Sequence, residues 1–233
     1  MTVLKADIRF AGYEEKKPVI RDIGFEVGAG ELVGLIGPNG AGKSTTIKTI
    51  LGLLRHMEGK VQVLGDNGRY AYVPEQPVLY EYMTLWEHLE LAASAYELNG
   101  PQLAERAEAL LRRFRLSDAR DQYPVKFSKG MQQKTMLIIG FMLEPDVYIV
   151  DEPFVGLDPR ATRDFLELLE SERKRGAGIL MSTHVLDTAE RICSRFVLVN
   201  AGTVVATGTL DEVREQAGLA PDASLFDCFD ALT

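Results

Sequence analysis

One eight-residue segment, Gly37-Pro38-Asn39-Gly40-Ala41-Gly42-Lys43-Ser44, constrains this chain more than any other. It fits GxxxxGK[ST], a pattern that works only where a buried strand ends and a helix begins. The short apolar run Leu32–Ile36 precedes it. A helical pattern from about Lys43 to Leu53 follows, stopping near Gly52, where helix ends favour glycine. Glycines leave backbone N–H groups free to converge on phosphate oxygens, and the positive end of the helix adds to the attraction. On this reading Gly37 to Ser44, with Thr45, cradle a nucleotide phosphate chain. Lys43 is expected to reach the β- and γ-phosphates, and the Ser44 hydroxyl to be a ligand of Mg²⁺.

A second segment supplies the partner such a loop needs. Val147-Tyr148-Ile149-Val150-Asp151-Glu152 reads as a buried strand ending in two adjacent carboxylates. Successive strand side chains point in different directions, so the two acids are split between tasks. Asp151 is expected to hold the Mg²⁺ shell and Glu152 to polarise an attacking water. Alone, the same string could be a strand that merely ends in a polar turn; downstream of a phosphate loop it reads as a catalytic pair.

Around these motifs the chain alternates. Val3–Phe10 and Val19–Val27 read as strands, as do Lys60–Leu64 and Tyr70–Val73. From Thr84 to Arg115 the pattern is helical and amphipathic, broken at Asn99-Gly100-Pro101. A polar linker, Ser117–Lys126, leads to a helix from about Ser128 to Leu143. Strand and helix then alternate through Val147–Val150, Pro159–Lys174, Gly178–Ser182, Val185–Ser194 and Phe196–Val199. This order predicts a parallel α/β sheet with a helical lobe set into it. The expected division is one domain over 1–233, with an α/β nucleotide-binding core from 1–76 and 144–233 and a helical subdomain from 77–143.

Composition narrows the function classes. Of 233 residues, 46% are hydrophobic, enough for a substantial core, yet no run reaches the ~18 apolar residues of a membrane span. Met1–Phe10 carries Lys5, Asp7 and Arg9 and so lacks the apolar core of a signal peptide. A soluble chain is expected, with any membrane role coming through a partner. A net charge of −8 argues against a broad nucleic-acid footprint. Cys193 and Cys228 have no CxxC spacing and read as small hydrophobes in a reducing cytosol.

Phosphate loops serve kinases, GTPases, helicases and motors alike, and the remaining motifs decide among them. Phe127-Ser128-Lys129-Gly130-Met131, at the start of a helix ahead of Asp151, resembles the LSGGQ signature of ABC ATPases. The rest of that family's set stands in order along essentially the whole chain. Tyr13 lies where an aromatic stacks on adenine. Gln76, in Val73-Pro74-Glu75-Gln76-Pro77, matches the Q-loop glutamine. Gly156-Leu157-Asp158 matches the D-loop, and His184, in Ser182-Thr183-His184, the switch histidine. The strings Pro77-Val78-Leu79-Tyr80-Glu81 and Asp151-Glu152-Pro153-Phe154 further resemble bacterial Ecs-type, exporter-like ATPases.

The resemblance implies an α/β P-loop NTPase core with a parallel sheet, an antiparallel β arm and an inserted helical lobe. It implies an ATPase with ATP and Mg²⁺ as cofactors, Gln76 joining Ser44 and Asp151 at the metal. Lys43, Gln76, Glu152 and His184 are then the catalytic set. Ser128 and Gly130, at a helix N-terminus that favours anions, serve the γ-phosphate of a second subunit, with Asp158 beside them. A homodimer or pseudo-dimer thus closes head to tail across ATP and powers transport, with export favoured, through a separate multi-spanning permease. The implied location is cytoplasmic, peripheral on the inner face of the cell membrane, with no nucleic-acid partner. Pro77–Trp86, with Leu79, Tyr80, Tyr82 and Met83, offers apolar candidates for sensing the permease.

There are departures from the family pattern. Lys129 and Met131 replace the first signature glycine and the glutamine, which implies retained activity with altered dimer contacts. The stretch from Lys43 to Gln76 is short, so the β arm should be trimmed. A soluble ABC-type ATPase acting on DNA or ribosomes is the alternative. Only 84 residues separate Ser44 from Lys129, too few for the long coiled coil of chromosome-maintenance members. The single cassette and acidic charge also disfavour translation-factor members.

Overall fold

Runs of consecutive apolar residues, rather than alternating ones, build the central strands of the computed structural model, which describes residues 1–65 and 68–233. The strands are β1 (Thr2–Gly12), β2 (Ile20–Gly28), β3 (Leu32–Ile36), β4 (His56–Val63), β5 (Tyr70–Val73), β6 (Val147–Asp151), β7 (Gly178–Thr183), β8 (Arg195–Asn200) and β9 (Thr203–Gly208). The helices are α1 (Lys43–Ile50), α2 (Leu85–Ala95), α3 (Gly100–Phe114), α4 (Lys129–Met142), α5 (Pro159–Arg175), α6 (Leu186–Ile192), α7 (Leu210–Ala217) and α8 (Leu225–Leu232). Two units pack internally: Met1–Tyr70 with Asp146–Glu152 and Arg173–Thr233, and Ala71–Pro145 with Pro153–Glu172.

In the first unit β6, β7, β3, β8 and β9 lie side by side in that order. Every residue of β3, β6 and β7 is buried, as expected of parallel strands covered on both faces. The pairs β6–β7, β7–β3 and β3–β8 are parallel, and β9 returns antiparallel to β8. The registers align Leu35 with Ser182 and Ser182 with Asp151, so three strands end level with one another.

A separate antiparallel sheet runs β2-β1-β4. In β1 the alternation of Leu4, Ala6 and Ile8 puts those side chains inside. β4 starts at His56, four residues before the sequence pattern suggests. Gly59 explains the difference: at φ 136° its α-carbon lies so close to the Asp7 carbonyl that a β-carbon would clash. The strand therefore tolerates an irregular register that no alternation advertises.

The segment beyond Gly208 packs instead of trailing. Thr209 and Ser224 cap α7 and α8 with reciprocal capping boxes. Val213, Leu225 and Cys228 then complete a cluster with Phe196, Leu198 and Ala206. Both cysteines are free, and burial pushes the Cys193 thiol up to about 12.

The second unit is mainly helical. The sequence break at Asn99-Gly100-Pro101 is a helix start: the Asn99 side chain accepts the Gln102 N–H, and the Gln102 side chain accepts the Asn99 N–H. Along α3 the buried residues are Leu103, Ala107, Leu110, Leu111 and Phe114, one face of a 3.6-residue period. Phe165 of α5 is fully buried, with Phe141 and Phe154 meeting it edge-on at 5.9 and 5.8 Å between ring centres. Among the described residues no helix is long and apolar enough to cross a membrane.

Phe165 anchors this unit. Phe165→Ala removes an aromatic ring from a site with no solvent contact and should destabilise by ~3–5 kcal/mol. Urea unfolding of the full chain checks this, and a loss below ~1 kcal/mol would mean that the three rings are not a shared core.

Candidate active site

The loop after β3 is shaped by two contacts that exclude side chains. A β-carbon at Gly37 would run into the Val199 carbonyl, and one at Gly42 would meet Ile20 Cγ2 at 2.6 Å. Gly42 also has φ 111°, a region closed to most L-residues. The loop is tied at its end by the Gly202 N–H on the Ala41 carbonyl at 2.9 Å. Its tip, Pro38-Asn39-Gly40, is exposed, whereas Gly37, Ala41, Gly42 and Lys43 are buried. Helix α1 then begins at Lys43, pointing its free N–H groups back into the loop.

Lys43 is 6% exposed, and its ammonium donates to the carbonyls of Gly37 at 2.7 Å and Pro38 at 3.2 Å. It also lies 3.5 Å from Glu152 Oε1. Glu152 Oε2 is 2.9 Å from His184 Nδ1. The Glu152 carboxylate is therefore bracketed, with a buried cation on one oxygen and a half-exposed imidazole on the other. Oε1 has no hydrogen-bond partner despite being buried, an arrangement that leaves an acceptor available to an incoming donor.

Asp151, 4% exposed, ends β6 one residue earlier and accepts a hydrogen bond from the Ser182 hydroxyl. Ser44 is exposed in the first turn of α1. A hydroxyl and a carboxylate are hard oxygen donors, which a small divalent cation takes alongside phosphate oxygens. Among the described residues no three His, Cys, Asp or Glu side chains group into a self-sufficient metal cage. Tyr13 stands beside α1, its hydroxyl 3.4 Å from Thr45 Oγ1 and Lys48 Nζ 5.3 Å from its ring centre. Half of its surface is open, so a flat ring face remains exposed next to Thr45.

The second unit gathers the remaining candidates. Ser128 caps α4, its hydroxyl accepting the Met131 N–H at 3.3 Å. Gly130 is there because the first turn of α4 presses on the loop at Gly156: a β-carbon would sit 2.8 Å from the Gly156 carbonyl. Asp158 caps α5 through the Ala161 N–H at 2.8 Å and accepts from Lys134 Nζ at 2.6 Å. Those two bonds, Lys134's foremost, lower the Asp158 carboxyl to about 2. Gln76 is exposed and lines a cleft of about 450 Å³ with Glu75, Lys129, Gln132, Val155 and Gly156.

Two residues with evident parts in this geometry escape sequence reading. Lys134 couples α4 to Asp158 across 24 positions, and Ser182 couples β7 to Asp151 across 31. Neither separation leaves a local periodic trace. The sheet register alone brings the second pair together.

The pattern of the ABC transporter family matches residues 20–155. The chain is 50% identical over 227 residues to the uncharacterized ABC transporter ATP-binding protein YthP of Bacillus subtilis, covering 97% of this chain and 95% of the relative. It is 44% identical over 242 residues to the ABC-type transporter ATP-binding protein EcsA of the same organism, covering 100% and 97%. A solved structure described as the ATP binding subunit of an ABC transporter superposes with a TM-score of 0.92 at 46% identity, covering 99% of both chains. Matched by the family pattern over more than half its length and by these relatives nearly end to end, the chain belongs to the ATP-binding subunits of the ABC transporter family.

Proposed function

We propose that this subunit hydrolyses ATP at Glu152 and delivers the resulting motion to a separate membrane-spanning permease. The observation that carries the reading is the bracketed carboxylate, with Oε1 3.5 Å from Lys43 and Oε2 2.9 Å from His184. A base must hold a water in line with the γ-phosphorus, and a carboxylate fixed from both sides is pre-oriented for that task. Lys43 and the N–H groups of Gly37 to Thr45 bind the phosphates. Tyr13 stacks on adenine.

Ser44, Asp151 and Gln76 are the residues suited to hold Mg²⁺, which when bound offsets negative charge on the phosphate oxygens. Glu152 takes the proton of the attacking water, and His184 holds the carboxylate and the γ-phosphate in register. Ser128 and Gly130 present a helix N-terminus that its own subunit does not need, and we assign it, with Asp158, to the ATP of a second copy. Two copies then close head to tail on two nucleotides and separate after hydrolysis.

The permease contact falls to the segment after Gln76, where Val78, Tyr80 and Tyr82 are 74, 61 and 84% exposed. Leu79 and Met83, also named as candidates, are only partly exposed. The motif likeness to Ecs-type ATPases points to export, and the location is the cytoplasmic face of the membrane. Action on DNA or ribosomes is not favoured, because the relatives matched end to end are named as transporter subunits.

Nucleotide assays separate binding from chemistry. Lys43→Ala should weaken ATP binding by about 10- to 100-fold, the ~1.5–3 kcal/mol of one charge-assisted hydrogen bond. Glu152→Gln should bind ATP as before and lose about 10²- to 10⁴-fold in turnover. Normal turnover by Glu152→Gln removes it as the base.

Dimer closure is read by light scattering on Glu152→Gln with ATP. Adding Ser128→Arg should leave nucleotide binding intact and abolish the ATP-dependent dimer. A dimer that persists refutes the paired arrangement.

The permease is sought by pull-down from solubilised membranes with tagged Glu152→Gln and Mg-ATP, using Lys43→Ala as control. Enrichment of a multi-spanning protein is the expected result. Ribosomal or DNA-associated proteins without one would overturn the transport reading.

A further inference from the structure

Ser182 lies outside the catalytic set, yet it is tied to both acids at the end of β6. It is fully buried in β7, and the sheet register sets it across from Asp151. Its single hydroxyl proton goes to Asp151 Oδ1. Its oxygen accepts the Glu152 N–H at 3.2 Å, and the carbonyl of the same residue accepts that N–H at 3.2 Å as well. Glu152 has φ 46°, in the left-handed region that residues with long side chains seldom enter. Two residues farther along the same chain, His184 meets the Glu152 side chain.

We propose that Ser182 is a positioning residue for hydrolysis. Its hydroxyl sets the rotation of the Asp151 carboxylate and braces the left-handed turn that aims Glu152 Oε1 toward Lys43. The inference rests on the role assigned above to Glu152. A purely structural role does not account for the geometry. The Glu152 N–H already has a carbonyl acceptor, so no buried donor is orphaned without the hydroxyl. What the hydroxyl alone supplies is the bond donated to Asp151. With Oδ1 accepting this bond, the plane of the Asp151 carboxylate is fixed, and that is the orientation in which it would hold a cation. Strand β7 thereby fixes the metal-type acid by a donated bond, the next backbone by an accepted one, and the base by an imidazole.

The test uses the full chain with Ser182→Ala and Ser182→Thr, beside Glu152→Gln. Three quantities are measured: steady-state ATP turnover, thermal melting without nucleotide, and the gain in melting temperature from Mg-ATP over ATP with EDTA. Ser182→Ala should stay folded at the assay temperature, melt below the parent by the loss of one buried hydrogen bond, and lose about 10- to 100-fold in kcat. It should also lose most of the magnesium-dependent gain, and Ser182→Thr should recover both. Parental kcat and parental magnesium gain in a folded Ser182→Ala overturn the proposal. If that variant melts below the assay temperature, Ser182→Cys, close in volume but a poor donor, is read by the same criteria. A fully active Glu152→Gln would instead remove the base assignment, and this inference with it.

Discussion

The level ending of β6, β7 and β3 is the constraint on which the first unit's chemistry depends. Parallel pairing sets Leu35, Ser182 and Asp151 in one row across three strands. Each chain then leaves the sheet at the same edge: β3 into the phosphate loop, β6 into Glu152, β7 into His184. Ligand sites of open α/β sheets form at such carboxyl ends because loops from neighbouring strands meet there. The buried runs that make the strands also make this edge rigid, since parallel strands covered on both faces have little freedom to slip. A one-residue shift of β7 would turn Ser182 away from Asp151 and carry His184 away from Glu152.

That edge concentrates groups that a protein interior ordinarily resists. Lys43, Asp151 and Glu152 are 6, 4 and 7% exposed. Burying ions costs several kcal/mol each before pairing, and pairing rarely returns more than it costs. The fold therefore does not keep these groups for stability. Lys43 is satisfied by two loop carbonyls, Asp151 by Ser182, and Glu152 by His184 on one oxygen only. Among these three groups, Glu152 Oε1 is left without a hydrogen-bond partner. An unmet acceptor next to a buried ammonium suits a site that awaits a water and a phosphate.

Local patterns and long-range contacts divide what the sequence reveals. The phosphate-loop motif and the strand before Asp151 are legible because each is decided within a few residues, whereas Asn99-Gly100-Pro101 reads as a break and is the capped start of α3. The family is legible through the order of the motifs from Tyr13 to His184 along the chain. β9 is not, because Thr203–Gly208 has partly exposed residues and pairs only through β8. The start of β4 at His56 is hidden by Gly59, whose presence argues against a strand until the Asp7 carbonyl is seen beside it. Helix α8 is hidden in the same way, because its packing shows only once Leu225 and Cys228 are found buried in the cluster with Phe196 and Leu198. Ser182 and Lys134 look like ordinary strand and helix residues until register and packing supply their partners.

The second unit shows why the signature departures at Lys129 and Met131 are tolerable. Ser128 caps α4 with its hydroxyl on the backbone N–H of Met131, a bond indifferent to that residue's side chain. Lys129 is exposed and faces the cleft with Gln76 and Glu75, so its size meets no packed neighbour. Gly130 has no such latitude, because the Gly156 carbonyl lies 2.8 Å from where its β-carbon would be. Lys134 and Asp158 fasten the same two segments one helical turn farther on. The signature helix and the loop ending at Asp158 are thus one mechanical piece within this unit, gripped by a close backbone contact and an ion pair. Gly130, where the two segments touch, keeps the family residue, while the exposed Lys129 and the half-buried Met131, which lies instead with Tyr123 and Phe127, depart from it.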